Sequence, residues 1–203
     1  MQKLALSLFI IFIANPLSAQ VDSGYIKCNL NLFEFSVALA SFNLNPEDYK
    51  SKYDEKLKEW NTCIQNYKVP NFNVLTITND SFSLEKITNK VVILNFWSLN
   101  CPPCLIELKI LNALREEYKT EDIIFVSLFL NTKTQLIHHI SSRINTIASA
   151  GKIFDLYGIY GYPQTIILRK NHMIKHQFVG INVNDIEEFK NQFKIEVKEA
   201  LLE

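Results

Sequence analysis

The sequence lacks an excess of charge of either sign, because 21 lysine and arginine residues balance 21 aspartate and glutamate residues. It therefore has no basic excess of the kind that binds nucleic acid or an anionic membrane surface. Cysteine is scarce, with four among 203 residues, which excludes a miniprotein built from disulfides. The sequence also contains no nicotinamide or flavin motif, so we expect no such cofactor. Hydrophobic residues make up 48% of the chain, enough for a sizeable core.

The first nineteen residues have the pattern of a secretory signal peptide. Lys3 is followed by an apolar run from Leu4 to Ala14, and small residues end the segment near Ala19. The run is short for a membrane span, although an uncleaved anchor is the alternative. We predict a mature chain that starts at Gln20 and works in the periplasm or another extracytoplasmic compartment.

Residues 20–68 are predicted to form an N-terminal helical extension. Asn45 reads as a helix cap, because proline and then two acidic residues follow it. The next apolar residues recur at helical spacing: Tyr49, Tyr53, Leu57, Trp60 and Ile64. The preceding apolar run from Leu30 to Leu44 has an ambiguous period, and we interpret it as helix.

Residues 69–203 predict one α/β domain with a central mixed sheet. Two apolar runs of strand length, Val91–Trp97 and Ile123–Leu130, flank a helix that begins at Pro102. Short helical segments follow, over about 134–142 and 153–157. A strand pair over 165–169 and 174–179 and a closing helix from about residue 184 complete the pattern.

The cysteines of "NCPPCLIE" stand at the predicted start of that helix. If Cys101 caps the helix, Pro102 and Pro103 fill positions whose N–H groups would have no partner inside it. The Cys104 N–H is then the first donor able to face the Cys101 sulfur, and the helix dipole also favours a thiolate there. We predict that Cys101 attacks a disulfide and that Cys104 resolves the mixed disulfide.

A zinc site is the alternative reading of the same cysteines. His172 and His176 complete a formal C-x2-C…H-x3-H pattern. However, one histidine falls in a predicted turn and the other in a strand, where this spacing does not converge on one ion, and the two pairs are far apart. We therefore expect no metal.

Two segments together resemble the thioredoxin superfamily, and more narrowly its secreted disulfide reductases of the TlpA/ResA type. They are "VVILNFWSLNCPPCLIELKIL" and "YGIYGYPQTIILRKNHMIKHQFVG", and the resemblance covers about residues 69–195. It implies a thioredoxin fold with Cys101 exposed and Cys104 behind it. It also implies a cis peptide bond between Tyr162 and Pro163, facing the cysteine pair and leaving the Tyr162 backbone free to pair with an extended client peptide.

The resemblance also assigns roles to residues around the cysteines. Glu107 falls at the family's CxxCxxE position, where its carboxylate would accept the proton of the buried thiol; the alternative is a solvated glutamate. Asn95 stands where cytoplasmic thioredoxins have a buried acid, so it cannot relay that proton. Trp97 is expected beneath the site, and with Pro102 and Pro103 it joins the residues expected to bind the client.

Two positions depart from the family pattern. Asn100 replaces the tryptophan usual before the first cysteine, which removes an apolar wall from the site. Gln164 follows the proline where threonine is usual, and it adds a longer polar group near the docking groove. Both departures leave the cysteine chemistry intact.

The other two cysteines, Cys28 and Cys63, lie in the extension. In an oxidising compartment an even pair most simply forms a structural disulfide. The alternative is a second redox pair that exchanges with the first, although it lacks the C-x-x-C spacing.

Together these patterns predict an extracytoplasmic thiol–disulfide oxidoreductase that reduces disulfides in client proteins. Its redox-active disulfide replaces a cofactor, and a membrane-borne thiol donor supplies its electrons. Three alternatives use the same fold: a thiol oxidase or isomerase, a peroxide-linked antioxidant, and a peptide-binding module whose thiols rarely turn over. Against the peroxide role, Ser98 stands where a peroxidatic Thr-x-x-Cys pattern needs threonine.

Overall fold

The computed structural model describes residues 23–65, 67–119, 121–137 and 145–203. The predicted signal peptide and residues 138–144, which include the end of the helical segment predicted over 134–142, lie outside this range. In the described part of the chain, no helix is both long enough and apolar enough to cross a membrane.

Two helices form the extension. Helix α1 spans Ser23–Ser41 and helix α2 spans Pro46–Ile64. The Oδ1 atom of Asn45 accepts a hydrogen bond from the Asp48 N–H at 2.9 Å, so the predicted cap starts α2. The apolar stripe of α2 becomes more buried along the helix, from exposed Tyr49 to fully buried Ile64.

A five-stranded mixed sheet forms the centre of the molecule. Its strands are β3 (Val91–Trp97), β4 (Ile123–Phe129), β5 (Asn145–Ile147), β6 (Gln164–Leu168) and β7 (Ile174–Val179), in the order β5-β4-β3-β6-β7. Strands β3, β4 and β5 run parallel, while β6 pairs antiparallel with both β3 and β7. Strands β1 (Asn73–Leu75) and β2 (Ser81–Ser83) form a separate hairpin, and a short 3-10 helix follows at Leu84–Lys86.

Helices cover both faces of this sheet. The remaining helices are α3 (Pro102–Glu117), α4 (Lys133–Ile137), α5 (Gly151–Leu156) and α6 (Ile186–Leu202). One apolar cluster joins α1, α2 and α5 to one face of the sheet, and a second joins α3 and α6 to the other. This arrangement confirms the predicted α/β class with a central mixed sheet and N-terminal helices.

The extension is fixed to the sheet domain by polar contacts as well as by apolar packing. A disulfide between Cys28 and Cys63 joins α1 to α2. Within the extension, the Trp60 indole N–H donates to Asn29 Oδ1 at 3.0 Å. Between the extension and the sheet domain, the Tyr25 hydroxyl and Asn29 Nδ2 both donate to the Tyr157 carbonyl, at 3.0 and 3.4 Å. The extension therefore packs directly against the segment that leads to Pro163.

Asn61 of α2 also covers the outer edge of β7. Its Nδ2 donates to the Gln177 carbonyl at 3.2 Å, and its Oδ1 accepts from the Gln177 N–H at 2.9 Å. Nearer the start of β7, the Ile174 N–H donates to the Tyr67 carbonyl at 3.0 Å. These contacts satisfy backbone groups of an edge strand that would otherwise be open to pairing with another chain.

Candidate active site

Helix α3 begins at the first active-site cysteine. Cys101 has an extended backbone and is the N-cap, and its Sγ accepts a hydrogen bond from the Cys104 N–H at 3.2 Å. Pro102 and Pro103 occupy the first two helical positions between them, where a missing N–H costs no intrahelical bond. The Cys101 sulfur therefore lies at the positive end of the helix dipole, a position that stabilises a thiolate.

The two cysteines form a disulfide with a Cα–Cα distance of 5.2 Å. Cys104 is fully buried, and only 6% of Cys101 is exposed, so the expectation of an exposed Cys101 is wrong for this oxidised state. The covering group is the loop before Pro163, because the Tyr162 carbonyl oxygen lies 3.7 Å from Cys101 Sγ. The loop and the cysteine pair are thus in direct contact in the oxidised protein.

The loop enters β6 through a cis peptide bond between Tyr162 and Pro163. Pro163 is buried, while 41% of Tyr162 is exposed beside the cysteine pair. On the other side of the disulfide, Pro102 is exposed and Pro103 is half-buried. Four of the five residues predicted to bind a client thus lie around the pair.

The fifth, Trp97, does not reach the surface. Its side chain is fully buried, its ring centroid lies 4.4 Å from that of Phe129, and its indole N–H donates to Ser127 Oγ at 2.6 Å. The expectation that Trp97 binds the client is therefore wrong, because its position at the end of a fully buried strand turns the indole into the core. It packs in the same apolar cluster as both active-site cysteines.

Glu107 lies on α3 with its carboxyl group completely buried, which excludes the alternative of a solvated glutamate. Its Oε2 accepts from Asn95 Nδ2 at 2.8 Å, and its Oε1 accepts from the Thr165 hydroxyl at 3.1 Å. Burial raises the pKa of Glu107 to about 8, although the two hydrogen bonds lower it in part. The carboxyl is therefore largely protonated at neutral pH.

Thr165 is a site residue that the sequence analysis missed. It stands opposite Asn95 in the register of β6 and β3, and its hydroxyl oxygen also accepts from Asn95 Nδ2 at 3.0 Å. The Asn95 Oδ1 atom has no partner among the described residues. The signal in the sequence was a threonine inside an apolar strand, two residues after the predicted cis proline.

The two departures from the family pattern have different environments. Asn100 is exposed directly before Cys101. Gln164 is buried rather than open to the docking groove: its Nε2 donates to the Gly161 carbonyl at 2.8 Å, and its Oε1 accepts from Gln177 Nε2 at 2.6 Å. The longer amide thus fixes the loop before Pro163 to β7.

The histidines of the alternative zinc pattern have other partners. His172 lies in the β6–β7 turn, and its Nε2 is 2.7 Å from the Ile87 carbonyl oxygen. His176 packs against Phe178 within β7, and burial lowers the pKa of His176 to about 4. In the described ranges, no group of three histidine, cysteine, aspartate or glutamate residues is arranged to hold a metal ion.

Comparisons with known proteins agree with this geometry. The sequence profile of the AhpC/TSA family matches residues 66–177. Thiol-disulfide oxidoreductase ResA of Halalkalibacterium halodurans is 27% identical over 132 residues, which cover 62% of this chain and 75% of the relative. The thioredoxin-like protein YneN of Bacillus subtilis is 26% identical over 121 residues, 56% of this chain and 70% of that protein.

The fold has solved counterparts as well. A thioredoxin-family thiol:disulfide interchange protein from Chlorobium tepidum TLS superposes with a TM-score of 0.57 at 19% identity. The match covers 66% of this chain and 95% of that one. The comparisons confirm the resemblance to thioredoxin-like proteins.

Proposed function

The chain belongs to the AhpC/TSA family, and we propose that it is a thiol–disulfide oxidoreductase, like the relatives of that name, and that it reduces disulfides in client proteins. The observation that carries the proposal is the Cys101–Cys104 disulfide at the N-terminus of α3, with the Cys104 N–H directed at the Cys101 sulfur. This geometry stabilises a thiolate on the outer cysteine and keeps the inner cysteine within bonding distance.

The reaction proceeds through a mixed disulfide. The Cys101 thiolate attacks one sulfur of the client disulfide, and the other client sulfur leaves as a thiolate that takes up a proton. The Cys104 thiolate then attacks Cys101 Sγ, which releases the second client thiol and closes the enzyme disulfide. Two electrons pass from the enzyme dithiol to the client, so a thiol donor must reduce the enzyme before the next cycle.

Glu107 is the proton acceptor and donor for the inner thiol in this proposal. It lies three residues after Cys104, which places the two side chains on neighbouring turns of one helix face. Its pKa of about 8 is close to the ordinary value of about 8.5 for a thiol, so a proton can move between them in either direction. Asn95 and Thr165 hold the carboxyl in place by hydrogen bonds.

The client binds around the disulfide. The Tyr162 backbone next to the cis proline lies beside Cys101 and pairs with an extended client segment in the manner of strand addition. Pro102 and Pro103 form the opposite side of this site.

The proposal also includes a compartment and an electron source, and the compartment is argued from the predicted signal peptide. The signal peptide predicted over residues 1–19 directs the mature chain out of the cytoplasm, where disulfides persist. A membrane-borne thiol donor supplies the electrons there. The domain division, with an extension over 20–68 and a thioredoxin-like domain over 69–203, belongs to the same proposal.

The direction of the reaction is tested by titrating the Cys101–Cys104 pair against thiol buffers of known potential. We expect a value near the thioredoxin potential of about −270 mV, and a value near −120 mV would make the protein an oxidant instead.

Consumption of peroxide by the reduced protein would favour the antioxidant alternative. Ser98 argues against that alternative, because it stands where the peroxidatic Thr-x-x-Cys pattern has threonine.

The mixed disulfide is tested by trapping. Cys104→Ser removes the resolving thiol, so client proteins should remain bonded to Cys101 and separate on a reducing gel. Cys101→Ser is the matched control, because it keeps one thiol but removes the attacking one. A protein that traps no client and whose cysteine pair exchanges with no thiol buffer would be a binding module.

A further inference from the structure

A cavity of about 200 Å³ lies between the extension and the loop before Pro163. Its apolar wall is formed by Leu32 and Phe33 of α1, Trp60 of α2, and Tyr160 of the loop. The thiol chemistry proposed above does not use this cavity. Its position beside the client-binding loop nevertheless relates it to that chemistry.

Along the chain, two of the residues that line the cavity are next to the residue that contacts the reactive disulfide. Tyr160 and Gly161, which line the cavity, directly precede Tyr162, whose carbonyl oxygen is 3.7 Å from Cys101 Sγ. Consecutive Cα atoms are about 3.8 Å apart, so the loop spans at most about 8 Å from Tyr160 to Tyr162. An extended client advances about 3.3 Å per residue and so reaches the cavity roughly two to four residues from its reacting cysteine.

The lining of the cavity suits an apolar group. The Phe33 and Tyr160 rings lie 6.0 Å apart at its mouth, with 51% and 66% of these residues exposed. Two polar side chains of the lining already have partners: Ser36 Oγ donates to the Leu32 carbonyl at 2.8 Å, and the Gln164 amide bonds the loop and β7. A polar ligand group would gain little from these two side chains, whereas an apolar group would be buried against the apolar wall.

The volume fits a single side chain. It is several times the roughly 30 Å³ that a water molecule occupies in the liquid. It is also smaller than the pockets of about 300–1,000 Å³ that hold drug-sized ligands. Two elements of the extension thus build a space of amino-acid size next to the thiol site.

We propose that this cavity is a specificity pocket for one apolar side chain, of leucine or phenylalanine size, close to the reacting cysteine of a client polypeptide. The inference rests on the thiol–disulfide exchange proposed above. It assigns the extension a part in selecting clients, because α1 and α2 supply much of the lining and face the loop before the cis proline.

The test uses two synthetic peptides, each with a single cysteine. They differ at one position, three residues from the cysteine, where one peptide has leucine and the other has serine. Each peptide cysteine is bonded to 5-thio-2-nitrobenzoate. The thiolate of the reduced protein attacks the peptide sulfur, and the yellow aromatic thiolate leaves. The inner cysteine then closes the enzyme disulfide and releases the peptide thiol, so each peptide disulfide oxidises one enzyme dithiol. Placing the substitution on either side of the cysteine covers both chain directions.

We expect the leucine peptide to react at least about tenfold faster than the serine peptide, as is usual for a hydrophobic side-chain pocket. Each rate is divided by the rate of the same protein with hydroxyethyl disulfide, which is too small to span both sites. Two variants fill the pocket from different elements, Ser36→Trp and Gly161→Leu. Apart from its chain neighbours, a Cβ atom at Gly161 would meet no atom within 4 Å, so the loop has room for the start of a side chain there.

Both filled variants should lose most of the preference for leucine. Ser41→Trp is the matched control, because it makes the same change at an exposed position of α1 outside the pocket and should keep the preference. Equal rates for the two peptides with the unmodified protein, or a preference that survives in both filled variants, would overturn the pocket. Failure to react even with hydroxyethyl disulfide would instead refute the exchange activity itself.

Discussion

The buried carboxyl of Glu107 makes the stability of this protein depend on pH in a calculable way. Its pKa is raised from 4.5 to about 8 by burial, so in this window the folded state holds a proton that the unfolded state has released. The free energy of unfolding therefore falls as the pH rises through the window. Glu107→Gln keeps the shape of the side chain but removes the titration.

The expected magnitude follows from the two pKa values. Each unit of pH between them costs the folded state about 1.4 kcal/mol, so the interval of about 3.5 units amounts to roughly 5 kcal/mol. Below pH 4.5 this contribution to stability is fully present, and above pH 8 its loss is complete. The difference between the variant and the unmodified protein should thus increase by about this amount from pH 4.5 to pH 8.

The assay is denaturant unfolding of both proteins at a series of pH values, with both disulfides intact. Taking the difference between the proteins at each pH cancels the other titrating groups, and the change of that difference with pH is independent of the intrinsic cost of the substitution. Glu85→Gln is the control, because Glu85 is exposed. The free energy of unfolding of this variant should differ from that of the unmodified protein by a nearly constant amount across the pH series. A constant difference for Glu107→Gln as well would show that the carboxyl ionises without penalty, and the argument from burial would be refuted.

Three further predictions concern a neighbour of Glu107 and the N-terminal extension. Asn95→Asp adds a second carboxyl group to the cluster, so carbon NMR should show one of the two still protonated above pH 8; titration of both below pH 6 would contradict this. Replacing Cys28 and Cys63 with alanine opens a loop of 35 residues and should lower the free energy of unfolding by about 4 kcal/mol in denaturant; a loss below about 1 kcal/mol would refute it. Asn61→Leu leaves the edge N–H of Gln177 unpaired, so hydrogen exchange there should accelerate, whereas unchanged protection would show that water or another group replaces the amide.

The features that sequence predicted well depend on residues close together in the chain. Two prolines follow Cys101 and one follows Asn45, and these prolines mark helix starts. In the structure, Cys101 and Asn45 are the N-caps of α3 and α2. The run Val91–Trp97, apolar except for Asn95, predicts a strand buried on both faces, and every residue of β3 is buried. Local steric and burial rules determine these elements without reference to the rest of the fold.

The features that were missed depend on contacts between distant residues. Strand β5 has only three residues and owes its existence to pairing with β4, so its own sequence carries little signal. The burial of Cys101 comes from a loop 61 residues later in the chain. Glu107 is held by partners 12 and 58 residues away, and the 3.6-residue period could place it on a helix face but could not identify what lies opposite.

The extension and the active site are linked through one segment of backbone, the chain from Tyr157 to the cis proline. Tyr25 and Asn29 of α1 both donate to the Tyr157 carbonyl, at 3.0 and 3.4 Å. Burial raises the pKa of Tyr25 to about 12, so its hydroxyl remains a donor throughout the pH range in which thiols exchange. Because the same segment ends beside the Cys101 sulfur, the contacts that hold α1 in place also fix the backbone that we propose as the client-binding segment.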